Sequence, residues 1–155
     1  YPDYLSNGNA VSYIADFAKK YCKGKGLDIG SSEWPLEGSI AIENDKELNA
    51  LKLDLFENNI LDYIFSSHCL EHIENWQDAL SLWIKKIKEG GIIFLYLPHQ
   101  SMALWRPGAP WVEDEHKWAP SYQVINDFFE SKGLDIIDYN NSKDKYYSFH
   151  VIAKK

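Results

Sequence analysis

Arginine is nearly absent from this chain: Arg106 is the only one. Bidentate recognition of phosphate therefore has a single strong candidate. Cysteine is scarce too, with Cys22 and Cys69 alone and far apart. That excludes a disulfide framework and fits a reduced compartment, so a cytoplasmic protein is expected. No apolar run approaches the roughly 20 residues of a membrane-spanning helix, and the first residues show no charged-then-apolar leader pattern. Positive charge is outweighed: the net charge is -7 and the pI about 5.2. This excludes a general binder of nucleic-acid backbones or anionic membrane surfaces. No repeat or low-complexity tract occurs. What is present is 155 residues, 45% hydrophobic and 15% aromatic with six tryptophans. That is enough for one domain over 1–155 with a core that needs no staple.

Apolar periodicity orders the elements. A first amphipathic helix is predicted over Ala10–Tyr21. "GLDIG" reads as a buried strand ending at Gly30, "SIAIEN" as a second ending at Glu43, "LNALKLDL" as a third and "ILDYIFSS" as a fourth. A second helix spans Glu74–Lys88, with Trp76, Leu80, Trp83, Ile84 and Ile87 as its apolar stripe, and "EGG" stops it. "IIFLYLP" is a central strand. Pro120 suits the first turn of a third helix running to Lys132. "LDIIDY" and "YSFHVIAK", joined by the polar "NNSKDK", close the chain as an antiparallel hairpin. Strands alternating with helices predict an α/β fold with a mostly parallel sheet.

In such sheets, ligands bind beyond the carboxyl ends of the strands. Four ends carry small or polar residues: Asp28, Gly30, Ser31 and Ser32 after strand one, Glu43 after strand two, Asp54 and Leu55 after strand three, and Ser67 after strand four. An acidic residue ending strand two accepts hydrogen bonds from ribose hydroxyls. Asp54 is placed to receive an adenine amino group, and Gly30 permits close backbone approach. Each residue alone is an ordinary loop opener. Together, in this order, they favour a nucleoside-containing ligand.

The string "LDIGSS…SIAIE…LDL…DYIFSSHCLEHI…WIKKIKEGGIIFLYLP" resembles a class I S-adenosylmethionine-dependent methyltransferase of the type 11 group. The likeness implies a Rossmann-like fold, a seven-stranded sheet with an antiparallel last strand, and S-adenosylmethionine as cofactor. The chain departs from the family's Asp-x-Gly-x-Gly-x-Gly loop: it keeps Asp28 and Gly30, and Ser32 stands at the second glycine. "SSEWPLEG" is too short for a crossover helix, so the helix after strand one is expected to be reduced or missing.

"SSHCLEHIENW" fits a metalloprotease pattern, His-x-x-Glu-His, at His68, Glu71 and His72. The preceding strand argues instead for a loop of the α/β sheet. If a helix begins near His68, that residue shares a face with Glu71 and His72. With His116 they form a candidate set for a divalent metal. Glu71 and His72 also have a bland reading, as edge residues of a helix start. His99, His116 and His68 are candidate bases for taking a hydroxyl proton. The long stretch 99–119 reads as a lid or acceptor surface, with Trp105, Trp111 and Trp118 stacking on a ring and Arg106 meeting an anion. The expected activity is O-methylation of a small acceptor, a sugar or nucleotide-sugar. The alternatives are a catalytically weakened cofactor- or partner-binding domain and a metal-dependent enzyme built on His68, Glu71, His72 and His116.

Overall fold

The computed structural model describes residues 9–45 and 47–155; residues 1–8 and 46 of the expected single domain lie outside these. A mixed sheet organises the fold: β1 (Gly26–Ile29), β2 (Ile40–Ile42), β3 (Leu61–Ser67), β4 (Ile87–Pro98), β5 (Asp135–Tyr139) and β6 (Ser148–Lys154). Their order is β2-β1-β3-β4-β6-β5. The pairs from β2 to β4 are parallel, and β6 is antiparallel to both β4 and β5. Helix α1 is a single turn (Ala15–Ala18), α2 spans Trp76–Lys86 and α3 spans Tyr122–Ser131.

The two-residue alternation of β3 and β4 separates two cores. On one face, Ile64, Ile93, Leu95 and Leu97 pack under α2 and α3 through Leu80, Trp83, Ile125 and Phe129. The other face is aromatic: Tyr63, Phe65, Phe94 and Tyr96. The N-terminal turns and Trp105 and Val112 of the long loop cover it, rather than full helices. The connection 30–39 between β1 and β2 makes turns and contains no helix. Asp28 anchors it from beneath, its Oδ2 accepting from the Leu36 amide at 2.7 Å.

Three expectations are corrected. Among the described residues the sheet has six strands, not seven. The missing one is "LNALKLDL", whose residues form a loop with one isolated bridge, Asn49–Lys52. Asn49 within it and Asp45 just before it tie up local backbone groups. Asp45 Oδ1 accepts from the Glu47 amide at 2.8 Å, Asn49 Oδ1 accepts from the Leu51 amide at 2.9 Å, and Asn49 Nδ2 donates to the Asp45 carbonyl at 2.8 Å. Such local bonds compete with strand pairing. The first helix divides into a 3-10 turn (Ala10–Tyr13) and α1, because Val11, Tyr13, Ile14 and Phe17 are weak helix formers and tertiary packing of Phe17 on Phe94 decides their path. Pro120 precedes α3 rather than opening it; Ser121 is the cap, accepting from the Val124 amide. No described helix is long and apolar enough to cross a membrane.

Asp28 gives the fold a pH signature. The side chain is buried, with Oδ1 lacking a partner, and burial pushes its carboxyl up to about 7. The folded state thus holds a proton, between an unfolded value near 4 and about 7, that the unfolded chain has released. Stability falls as pH rises through that window and stays lower above it. Asp28→Asn keeps the acceptor for Leu36 and removes the charge, but buries an amide without a partner. We expect a net gain on the order of 1–2 kcal/mol at pH 8 and none at pH 4. Urea midpoints at the two pH values check this.

Candidate functional site

A cavity of about 380 Å³ opens at the carboxyl ends of β1 and β2. Gly30 and Glu43 stand at its floor and rim, and Asn49, Ala50 and Leu51 face them from the 44–59 loop. Cys69, His72 and Asn75 close the remaining side. Gly30 has φ +78°, and a Cβ there would lie 2.4 Å from Cys69 Sγ. The position therefore requires glycine on both conformational and steric grounds. Ser32, at the position of the family's second glycine, also adopts positive φ (+50°). The opposite wall is held from below by α2: Trp83 Nε1 donates to the Ala50 carbonyl at 2.8 Å, and Lys86 Nζ to the Phe56 carbonyl at 2.6 Å. Asn75 sits at the start of α2 yet makes no capping bond with its side chain.

Not all of the residues expected at a cofactor site gather here. Gly30 and Glu43 do. Ser31 stands behind Glu43, its hydroxyl donating to Oε1 at 2.5 Å. Asp28 supports the loop from inside the sheet, and Ser32 is exposed. Ser67, at the end of β3, is partly buried with no partner for its hydroxyl among the described residues. Asp54 and Leu55 lie outside the cavity on an exposed turn; with the third strand replaced by a loop, Asn49–Leu51 line the cavity instead. Sequence reasoning missed Asn49–Leu51, Cys69 and Ile73–Asn75. The available signal was the polar pair Glu74-Asn75 just before an amphipathic helix.

After β3 the chain turns through His68 (φ +49°) into a 3-10 turn, Leu70–His72, not the start of an α-helix. The long loop is zipped onto this turn: the Lys117 amide donates to the Glu71 carbonyl at 2.8 Å, and Trp118 Nε1 to the Leu70 carbonyl at 2.9 Å. Trp118 also stacks on Trp76, ring centroids 4.4 Å apart. Four expected metal ligands thereby meet. Glu71 is fully buried, and its Oε1 lies 3.8 Å from His68 Nδ1, 3.9 Å from His72 Nε2 and 4.0 Å from His116 Nε2. The ligand atoms of Glu71, His72 and His116 lie within 4.8 Å of one another; His68 falls outside that trio and bonds Ser148 Oγ through Nε2 at 2.8 Å. Burial pushes Glu71 up to about 8 and His68 down to about 3, and lowers His72 and His116.

The remaining candidates are placed apart from the cavity. His99 engages both ring nitrogens, Nδ1 with Ser101 Oγ at 2.8 Å and Nε2 with the Asn141 carbonyl at 3.2 Å, and borders a separate crevice of about 10 Å³ with Trp105 and Arg106. Trp105 is buried, edge-on to His68. Arg106 is exposed and donates to the Gln100 carbonyl. Trp111 is exposed on the loop, and Trp118 is the latch just described.

A parallel sheet closed by one reversed strand between β4 and β5, with a cavity at the ends of β1 and β2, is a Rossmann-like methyltransferase architecture. The family described as a methyltransferase domain matches residues 7–95, more than half of the chain. The chain therefore belongs to that family, the class I S-adenosylmethionine-dependent methyltransferases. Solved structures carry the same fold. An S-adenosylmethionine-dependent methyltransferase from Archaeoglobus fulgidus is 18% identical, with TM-score 0.68 over 98% of this chain and 97% of that one. One from Mesorhizobium loti is 12% identical, with TM-score 0.70 over 96% and 99%. Phosphoethanolamine N-methyltransferase 2 of Haemonchus contortus, in complex with S-adenosyl-L-methionine, is 17% identical, with TM-score 0.63 over 87% of this chain and 39% of that one. No curated protein matches the chain.

Proposed function

We propose that this methyltransferase binds S-adenosylmethionine in the 380 Å³ cavity and methylates a hydroxyl oxygen of a small acceptor, with a sugar or nucleotide-sugar as the acceptor class. The observation that carries the cofactor reading is the pairing of Gly30, where a side chain cannot fit, with an acidic Glu43 at the end of β2. The residues fit the group. Glu43 keeps a carboxylate at the rim for ribose hydroxyls, although Ser31 already occupies one of its oxygens. Asn49, Ala50 and Leu51 wall the adenine side, and Gly30 lets the backbone approach the methionine end.

When bound, S-adenosylmethionine would supply an electrophilic methyl group for the acceptor oxygen, with the thioether S-adenosylhomocysteine as the leaving group. The chain's part is alignment, and removal of the hydroxyl proton. His72 borders both the cavity and the Glu71–His116 group, so in the metal-free chain a hydroxyl entering beside it meets imidazole Nε2 lone pairs able to take that proton. His99 has both nitrogens engaged elsewhere and is not given this role. For the acceptor, exposed Trp111 offers a ring face of the kind on which sugars stack.

Calorimetry with S-adenosylmethionine and S-adenosylhomocysteine tests the reading. We expect one site, and about a 10–100-fold loss of affinity in Glu43→Ala, as for a lost hydrogen bond to a charged group. Glu43 is exposed, so its removal leaves the melting temperature near that of the parent. No binding by the parent chain, or equal binding by Glu43→Ala, rejects the assignment. Methyl transfer to a panel of sugars, nucleotide-sugars and simple phenols then separates acceptor classes.

A further inference from the structure

We propose that Glu71, His72 and His116 form a binding site for one divalent transition-metal ion of the zinc class, with an open coordination position turned toward the cavity. Glu71 is 0% exposed, and neither carboxylate oxygen has a partner in another described residue. The nitrogens facing it, at 3.9 and 4.0 Å, are too far for hydrogen bonds.

The tautomers of the two imidazoles sharpen this. His72 Nδ1 lies 3.1 Å from the Glu115 carbonyl, and His116 Nδ1 lies 2.7 Å from the Trp105 carbonyl. A carbonyl oxygen only accepts, so each Nδ1 carries the hydrogen. Each Nε2 therefore presents a lone pair toward Glu71 Oε1. With Glu71 ionised, the centre of the cluster is lined by three acceptors: its carboxylate and the two Nε2 lone pairs. One proton cannot bridge groups 4 Å apart, whereas a doubly charged ion satisfies all three at once. The Nδ1-to-carbonyl bond is also the outer hydrogen bond that typically orients a metal-bound histidine.

Two histidines and one carboxylate are a ligand set used by zinc and other first-row divalent ions. Tetrahedral bonds of about 2.0–2.2 Å hold ligand atoms about 3.3–3.6 Å apart, so side-chain shifts of about an ångström close the site. The turn and the loop that carry the ligands are already joined by the Lys117-to-Glu71 backbone bond. The buried pair lies inward, while His72 is 40% exposed in its side chain and lines the cavity, which directs the open position outward. Assigning that position to an acceptor oxygen rests on the proposed methyl transfer; binding of the ion does not.

The test uses the full chain, chelated and dialysed, titrated with Zn²⁺ by calorimetry and with Co²⁺ by visible absorption. The expected result is one equivalent of either ion, with ligand-field bands for Co²⁺. His116→Gln and His72→Gln should each weaken binding more than about 100-fold, beyond the effect of losing an outer hydrogen bond. His72→Gln changes a half-exposed residue and so stays informative if the buried substitution does not fold. The proposal is overturned if the parent takes up no stoichiometric Zn²⁺ or Co²⁺, or if both variants bind as tightly as the parent. Parallel titration with S-adenosylhomocysteine separates the two readings. Loss of that binding with Zn²⁺ uptake intact sinks the cofactor assignment alone, and the reverse sinks the metal site alone.

Discussion

Gly30→Ala is expected to destabilise the fold by about 3 kcal/mol or more and to abolish cofactor binding. Two effects add. At φ +78° an alanine bears a left-handed penalty of about 1–2 kcal/mol. The new methyl would also lie 2.4 Å from Cys69 Sγ and 2.5 Å from its Cβ, an overpacking of about 1–3 kcal/mol. Both atoms belong to one side chain, so a second substitution separates the effects. Gly30→Ala with Cys69→Gly should recover the steric part and leave the conformational part. Urea unfolding measures the first effect, and calorimetry with S-adenosylhomocysteine the second. A single Gly30→Ala variant that binds like the parent would show that the close approach of the β1 end to Cys69 does not shape the cavity.

Trp83→Ala should destabilise the protein by about 3–5 kcal/mol, the range for removing a fully buried tryptophan. Trp83 fills the core between α2 and the sheet, and its Nε1 holds Ala50 in the cavity wall from below. Trp83→Phe keeps most of the packing but drops the indole donor, leaving the Ala50 carbonyl without that partner. We expect a loss of about 1–2 kcal/mol, with weakened cofactor affinity as the 44–59 loop loosens. If affinity in Trp83→Phe is unchanged while stability falls, the hydrogen bond serves the fold and not the cavity. Denaturant midpoints and calorimetry on the same samples decide between these outcomes.

The parts of the fold legible in the sequence were those set by burial on both sides. The apolar runs of β1, β3 and β4 and the stripe of α2 admit few alternatives, and the reversed β5–β6 hairpin followed from its polar loop. The position of Gly30 and Glu43 at the cavity was legible because each stands at the end of a strand of the sheet. "LNALKLDL" misled: its alternation suits a strand, but Asp45 and Asn49 satisfy their own backbone and bend it into a loop. That single error put Asp54 and Leu55 at the cavity, where Asn49–Leu51 stand instead. In the histidine cluster the residue types were visible, and their geometry was not. The groups that fix the tautomers of His72 and His116 are the backbone carbonyls of Glu115 and Trp105. Carbonyls leave no trace in residue identity. The tryptophans of the long loop likewise looked like acceptor platforms, whereas Trp105 is core and Trp118 is a fastening.

That fastening carries a further consequence. Trp76 and Trp118 stack with their ring planes nearly parallel, 15° apart, one on α2 and the other on the segment that brings His116 to Glu71. Two indoles held face to face couple their electronic transitions, and the coupling disappears when they part. The molecule thus has an intrinsic chromophore pair across the joint between turn and loop, able to report in circular dichroism whether that joint is shut without any attached dye.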